Sequence, residues 1–265
     1  MYNLICADLY KFRKTITVKV LFIITAVSAL LVTFMAYFIQ QGDLKSSISG
    51  MGFLFSDMSM ISILGAVIAG TFISGDFDNK IIHDAVANGN SRGTVIISKT
   101  LTFFGAVAFI IVPYVISVII AIISGSRFST GSQTAGFLNL LISSSGSGLS
   151  APEVLKLIVI IITLVIVYAA QLSVCVPLAI GFRKPILIVA IYYGFQFLCG
   201  QLVTLKDSSP ALYDIFSLTP YGGVNYSLTL NSGAGDILKA ISVSIIFIIA
   251  MISVTYLTFR KTEIK

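Results

Sequence analysis

The sequence predicts an all-α integral membrane protein with six transmembrane helices. Of its residues, 57% are hydrophobic and 11% are charged, whereas soluble domains carry about 25% charged residues. The apolar residues fall into blocks near the ~20 residues that a helix needs to cross a bilayer. The blocks lack the alternation of polar and apolar residues that is typical of membrane barrels. They cover residues 20–39, 53–74, 100–123, 157–180, 185–203 and 240–259.

The distribution of Lys and Arg predicts that both termini are cytoplasmic. An even number of spans places both termini on one side, and that side would hold most of the 17 basic residues. Short cytoplasmic connections are enriched in such residues. The net charge of +6 is then explained by attraction to anionic membrane lipid and not by a nucleic-acid surface. These residues are Lys11, Arg13, Lys14, Lys19, Lys80, Arg92, Lys99, Arg183, Lys184, Arg260, Lys261 and Lys265.

Residues 1–19 form a basic, amphipathic N-terminus. Leu4, Ile5, Leu9 and Phe12 fall on one helical stripe, which predicts a helix lying in the inner membrane interface. The alternative is an ordinary basic flank of the first span. That span is too long for a cleavable signal peptide, and no A-x-A site follows it.

Two longer connections are predicted on the outer side, at about 124–153 and 204–239. The first is rich in Ser and Gly, and its apolar "FLNLLI" is expected at the membrane interface. It is interpreted as filler, with a flexible lid as the alternative. The second carries Tyr213, Phe216 and Tyr221, which suit an aromatic interface belt.

No catalytic, metal or cofactor site is predicted within the chain. The sequence has one His, and its cysteines, Cys6, Cys175 and Cys199, show neither metal-ligand nor disulfide spacing. It also lacks the G-x-x-x-x-G-K-[ST] pattern of a nucleotide-binding loop.

An intramembrane aspartyl protease is a remote alternative. Tyr213-Asp214 and the "GAGD" ending at Asp236 are similar to the paired motifs of such proteases. That chemistry requires two carboxylates that share a proton in one buried site. Both aspartates fall in the predicted outer loop, which disfavours this alternative.

A few polar residues within the spans are candidates for a substrate path, since intramembrane polar groups are functional candidates by default. They are Asp57, near the outer end of the second span, and Gln171 and Gln196, near the middle of theirs. Asp57 could instead reach the lipid headgroups, and Gln commonly joins helices by hydrogen bonds. The small residues Gly65 and Gly70 are expected to pack helices.

A polar segment separates the second and third spans, "SGDFDNKIIHDAVANGNSRGTVIISK". Phe77, Ile81 and Ala85 recur every four residues, which predicts a short amphipathic helix over 76–88. Asp76 is expected to cap its start and Gly89 to end it. A helix lying flat on lipid would favour Lys and Arg on its polar face. This one carries aspartates instead, which indicates contact with a protein.

The same segment resembles the cytoplasmic segment between spans two and three of type-2 ABC export permeases. In that family an acidic start, a short helix and a turn precede an Arg and a Lys that enters the next span. The chain departs from many relatives by Asp in place of Glu, and by "NK" in place of Gly-Thr. It is most similar to small bacterial permeases of the peptide-antibiotic, bacteriocin-immunity and toxic-peptide export groups. The matching residues are Asp76, Asn79, Lys80, Gly89, Arg92 and Lys99.

The resemblance implies a permease subunit in the bacterial cell membrane, with two copies of a separate ATP-binding subunit that hold ATP and Mg. A second permease, identical or homologous, would complete a path for an amphipathic or hydrophobic substrate such as an antimicrobial or toxic peptide. The polar segment would be the coupling helix. Its implied residues are Asp76, Phe77, Asp78, Asn79, Lys80, Ile81, His83, Asp84, Ala85, Asn88, Gly89 and Arg92.

The alternative function is a self-sufficient secondary transporter or channel. Such a protein needs ionisable groups deep within its spans to couple transport to an ion. The middle of the predicted spans contains none.

Overall fold

The computed structural model describes residues 2–42, 55–129, 135–144, 151–204 and 210–261, and this part of the chain is helical without strands. The remaining parts of the predicted outer loops and of the start of the second span lie outside the described residues. The helices are α1 Tyr2–Lys14, α2 Ile16–Gln41, α3 Asp57–Ala69, α4 Gly75–Asp78, α5 Ile81–Ala87, α6 Arg92–Ser124, α7 Gly136–Ser144, α8 Ala151–Leu172, α9 Cys175–Phe182, α10 Pro185–Thr204, α11 Pro210–Ser217, α12 Gly223–Tyr226 and α13 Ala234–Lys261.

The predicted six spans are confirmed. Within the described residues, six helical stretches are long and apolar enough to cross a membrane. Span 2 joins α3 to α4 through a π-helical turn, Gly70–Ser74, and span 4 joins α8 to α9. We number the stretches as spans 1 to 6: Ile16–Gln41, Asp57–Asp78, Arg92–Ser124, Ala151–Phe182, Pro185–Leu202 and Ala234–Arg260.

Several helices begin earlier than their apolar blocks. The third span was predicted from residue 100, but α6 begins at Arg92, where the Ser91 hydroxyl accepts the Thr94 N–H. Its 33 residues extend about 50 Å, which exceeds the ~30 Å hydrocarbon core. The first turns of this helix therefore carry charged residues beyond the hydrocarbon.

Spans 2, 3 and 4 form the centre of the bundle. Each buries more than half of its most apolar stretch, whereas spans 1, 5 and 6 bury a third or less. Glycines permit the closest approaches, as predicted. A Cβ at Gly70 would lie 2.9 Å from the Cα of Pro185, and one at Gly65 would overlap the Leu172 side chain. Spans 2, 3 and 4 pack on each other, and spans 1, 5 and 6 present apolar side chains to their surroundings.

One end of the bundle collects many of the basic residues, and we call it the basic end. There Lys99, near the start of span 3, pairs with Asp8 of α1. Arg92 donates to the carbonyl of Arg260, at the end of α13, over 3.0 Å. Helix α1, the segment between spans 2 and 3 and the last turn of span 6 therefore lie together.

Helix α1 is amphipathic but is also packed into the protein. Leu4 and Phe12 of its predicted stripe pack against the core, whereas Leu9 is exposed. The Phe12 ring contacts Phe72 of span 2 and Phe109 of span 3, with centroid distances of 5.8 and 5.6 Å. The helix is thus tied to both central spans.

The two connections predicted on the outer side contribute helices to the core, which corrects two expectations. The "FLNLLI" expected at the interface lies in α7, where Phe137, Leu140 and Leu141 are buried. Tyr221, expected in an aromatic belt, is also buried. Its ring makes edge contacts with Phe195 of span 5 and Phe247 of span 6. Both segments therefore contribute buried side chains to the packing between spans.

The orientation of the bundle can be tested by cysteine labelling in a Cys6→Ser background, because Cys6 is exposed. Asn88 is exposed at the basic end and Asn231 is exposed just before α13, at the opposite end. We expect Asn231→Cys to react with a membrane-impermeant maleimide on intact cells, and Asn88→Cys to react only after the cells are opened. Labelling of Asn88→Cys on intact cells would show that the basic end faces outward.

Candidate functional site

The segment that covers residues 75–91, from the last turn of span 2 to the start of span 3, contains two short helices, α4 and α5, which corrects the predicted continuous helix over 76–88. Span 2 continues through its π-helical turn into α4. The chain then turns at Lys80, whose φ of +58° is left-handed, and α5 follows. Asp76 therefore lies inside a continuing helix and does not cap one. Asn79 ends α4 by donating its side-chain N–H to the Gly75 carbonyl over 2.8 Å.

The turn at Lys80 separates Phe77 from Ile81 and Ala85, the three apolar residues that recur every four positions in the sequence. Phe77 is 5% exposed and faces the bundle, where its ring contacts Phe259 at a centroid distance of 5.8 Å. Ile82, not Ile81, is the buried residue of α5, whereas Ile81 is 39% exposed. Phe77 and Ile82 thus anchor the segment, and Phe77 and Ile81 do not lie on the one face that their four-residue spacing predicts.

The outward side of the segment forms a mixed polar and apolar surface at the basic end, which we call the 78–89 surface. His83 and Ala85 are half-buried at its edge, with His83 packed edge-on against Phe77. Because Phe77 and Ile82 are buried in the bundle, the position of this surface is fixed relative to the spans. Its exposed residues are Asp78, Asn79, Lys80, Ile81, Asp84, Ala87, Asn88 and Gly89.

The far side of the segment is attached to span 6. Gly89, with a φ of +86°, follows α5 as predicted, and Asn90 donates to the Ala85 carbonyl over 2.9 Å. The Arg92 guanidinium donates to the carbonyls of Phe259 and Arg260 over 3.1 and 3.0 Å. A cation at this position satisfies carbonyls that the end of a helix leaves without partners. Arg92 thus joins span 3 to the last turn of α13.

Four charged side chains form a cluster beneath the segment. Asp76 pairs with Lys11 of α1 and, over 2.6 Å, with Lys99 of span 3. Lys99 also pairs with Asp8, so two positive and two negative charges connect three elements. The Asp76 side chain is 1% exposed. A carboxylate so buried is stable only with such partners.

Asp8 and Lys11 were missed as site residues. The available signal was the isolated carboxylate of Asp8 in an otherwise basic N-terminus. Its partner is 91 positions away in the chain, and helical periodicity carries no information on contacts over such a distance.

Asp57 lies near the opposite end of span 2 and is fully buried. Its Oδ2 accepts the Tyr168 hydroxyl of span 4 over 2.5 Å and the backbone N–H of Phe137 over 2.7 Å. Its Oδ1 has no hydrogen-bond partner among the described residues. Asp57 therefore neither reaches the lipid headgroups nor faces an open path in this conformation. It attaches α7 to spans 2 and 4.

The two glutamines differ. Gln171 donates to the Pro220 carbonyl over 2.9 Å, and its own backbone carbonyl accepts the Tyr221 hydroxyl over 2.6 Å. Burial raises the pKa of Tyr221, which keeps this hydroxyl a donor. Gln171 thus joins span 4 to the segment that contains Pro220 and Tyr221, which agrees with the helix-joining alternative. Gln196 is buried, and its amide has no partner in the described part of the chain.

Neither a metal centre nor a protease dyad is present among the described residues. No group of three or more His, Cys, Asp or Glu side chains converges there. Asp214 and Asp236 are exposed, and Asp236 accepts the Gly233 N–H at the start of α13 over 3.0 Å. They do not share the buried site that the protease alternative requires.

No family model matches the chain, and no curated protein matches its sequence. The fold and these two polar clusters define a multi-pass, all-α membrane protein.

The charge cluster predicts a large effect of Asp76→Asn on stability. The substitution removes the buried pair between Asp76 and Lys99 and leaves Lys99 with Asp8 as its one carboxylate partner among the described residues. Breaking a buried pair costs about 3–5 kcal/mol. We expect a clear loss of thermal stability for the purified protein in detergent. Asp78→Asn removes the same charge from an exposed site two positions along and should change stability by about 0.5 kcal/mol or less. Equal melting temperatures for the two variants would contradict the role of the cluster.

The packing around Asp57 predicts different effects for two glycine substitutions. Gly136 and Gly125 have nearly equal φ values of +62° and +63°. A Cβ at Gly136 would overlap Asp57 and the Tyr168 hydroxyl, whereas one at Gly125 meets nothing within 4 Å. Gly136→Ala should therefore lose about 1–3 kcal/mol more than Gly125→Ala. Equal losses in thermal unfolding would show that α7 is not held against Asp57.

Proposed function

We propose that this chain is the permease subunit of an ATP-driven ABC exporter in the bacterial cell membrane. The observation that carries the proposal is the 78–89 surface, which is exposed at the connection between spans 2 and 3. It lies at the basic end, which the distribution of Lys and Arg assigns to the cytoplasm. Its sequence resembles the coupling segment of type-2 export permeases. The partner would be a separate subunit that holds ATP and Mg.

The surface has suitable chemistry for a protein partner. Exposed Ile81 offers an apolar contact, and Asp78 and Asp84 offer charges beside it. Interfaces commonly combine an apolar centre with a polar rim. Lys80 is the one basic residue among the exposed positions 78–89, so attraction to anionic lipid explains this surface poorly.

The anchoring of the segment provides a route for coupling. Span 2 ends in α4, and Ser91 caps span 3 immediately after the segment. Phe77 and Ile82 join the segment to the core. Displacement by an ATP-driven partner would therefore act on both central spans. The partner must bind two conformations of the permease with different affinity for such coupling to occur.

The substrate and the second permease follow from the resemblance and from the apolar surfaces. Spans 1, 5 and 6 expose most of their apolar stretches, which leaves surface for a second permease copy and for lipid. The proposed cargo is an amphipathic or hydrophobic molecule, with peptides as the first class to test. Asp57 would contact cargo only after α7 moves, because α7 and Tyr168 cover it.

The decisive experiment is a search of the neighbouring genes for a P-loop ATPase, followed by reconstitution of this chain with that ATPase. Transport or cargo-stimulated ATP hydrolysis by the pair, absent with either subunit alone, is the expected result. Cargo movement by the permease alone under an ion gradient would instead establish the self-sufficient carrier.

The docking surface predicts that Ile81→Asp loses the ATPase. Burial of an unpaired carboxylate in the contact would cost about 3 kcal/mol, roughly a hundredfold in affinity. Asp84→Asn, on the same helix, removes an exposed charge and should cost about 0–1 kcal/mol. The ATPase that co-purifies with tagged permease in detergent measures both effects. Full recovery of the ATPase with Ile81→Asp, at parental expression, would mean that Ile81 rests on the inner leaflet instead.

A further inference from the structure

A groove runs between spans 3 and 6 at the basic end, and neither the exposed residues of the 78–89 surface nor Asp57 lines it. Its volume is about 370 Å³, within the range of small-molecule pockets. Span 3 contributes Gly93 and Ile97, and span 6 contributes Ile252, Tyr256 and Leu257. The groove is lined mainly by carbon, and span 6 is the least buried of the spans found in the described residues. It therefore opens sideways, toward the bilayer.

Gly93 creates much of the space. A Cβ at this position would be 3.8 Å from the Tyr256 ring, an ordinary contact distance. A longer side chain would extend into the groove. The exposed side chains of Ile97 and Leu257 form its apolar walls.

The mouth of the groove at the basic end is positively charged. Arg260 is exposed and follows Tyr256 by four positions, which places it on the same face of α13. Arg92 precedes Gly93, and its guanidinium is held at the carbonyl of Arg260. Guanidinium groups match the geometry of phosphate oxygens.

We propose that this groove binds an anionic phospholipid of the membrane leaflet at the basic end. One acyl chain lies along Gly93, Ile97 and Leu257, and the phosphate meets Arg260. Anionic headgroups are attracted to basic residues at a membrane surface. A symmetric second copy fits this face poorly, since it would bring both Arg260 side chains into one interface, and the residues that line the groove include no carboxylate to pair with them. The site is independent of the proposed transport function.

The test uses the purified full chain in neutral detergent and native mass spectrometry. Equal amounts of dioleoylphosphatidylglycerol and dioleoylphosphatidylcholine are added. We expect the parent protein to retain phosphatidylglycerol over phosphatidylcholine by about fivefold, the ratio expected from one basic residue near an anionic headgroup.

Two pairs of variants assign the site. Gly93→Leu fills the groove and should lose the retained lipid. Gly105→Leu, at an exposed position of the same helix with nothing within 4 Å, should retain it. Arg260→Gln should reduce the preference for phosphatidylglycerol, whereas Lys19→Gln, which removes an equal charge from exposed span 1, should not.

Three outcomes would overturn the proposal. Equal lipid retention by Gly93→Leu and Gly105→Leu would place the lipid elsewhere. Equal retention of the two lipids by the parent would remove the role of the basic mouth. A parental dimer that Gly93→Leu converts to monomer would assign the groove to a second copy. Arg260→Gln changes an exposed side chain, so it remains informative if Gly93→Leu does not fold.

Discussion

The architecture of the basic end depends on the requirement that a buried charge has a partner of opposite sign. Asp76 is almost fully enclosed, and without Lys11 and Lys99 its ionised form would be strongly disfavoured. Lys11 comes from α1 and Lys99 comes from span 3. Asp8 also pairs with Lys99, so the two positive charges of the cluster face two negative charges. The cluster therefore determines where the N-terminal helix lies and how spans 2 and 3 meet. The 78–89 surface takes its orientation from that arrangement, because it begins two residues after Asp76.

The same requirement governs the opposite end in a different form. A polar group removed from water must find its partner within the protein. Asp57 finds the Tyr168 hydroxyl and the Phe137 N–H, and Gln171 finds the Pro220 carbonyl. Each contact draws an outer segment into the bundle, so α7 and the segment before α12 become parts of the core. Buried polar residues here explain why the described parts of these connections pack against the spans.

Hydropathy predicted the number and approximate positions of the spans, because a bilayer imposes one length scale on every crossing helix. Their ends were less predictable, since α6 and α13 continue past their apolar blocks into polar residues. Four-residue periodicity correctly located a helical segment between spans 2 and 3. It could not reveal the left-handed Lys80, which leaves Phe77 buried and Ile81 exposed although the periodicity placed them on one face. The partners of Asp57 lie 80 and 111 positions away, beyond any local pattern.

Span 2 connects the two polar clusters directly. Asp57 and Asp76 are 19 positions apart on this span, about 28 Å along a helix. Asp57 accepts a hydrogen bond from span 4, and Asp76 pairs with Lys99 of span 3. The π-helical turn Gly70–Ser74 lies between them, and Gly70 there contacts the start of α10. Such turns are the irregular points of a helix and frequently occur at functional sites. Under the proposed function, a partner that displaces α4 would first deform this π-helical turn. Span 2 is then the continuous element through which the 78–89 surface and the Asp57 contact to α7 are linked.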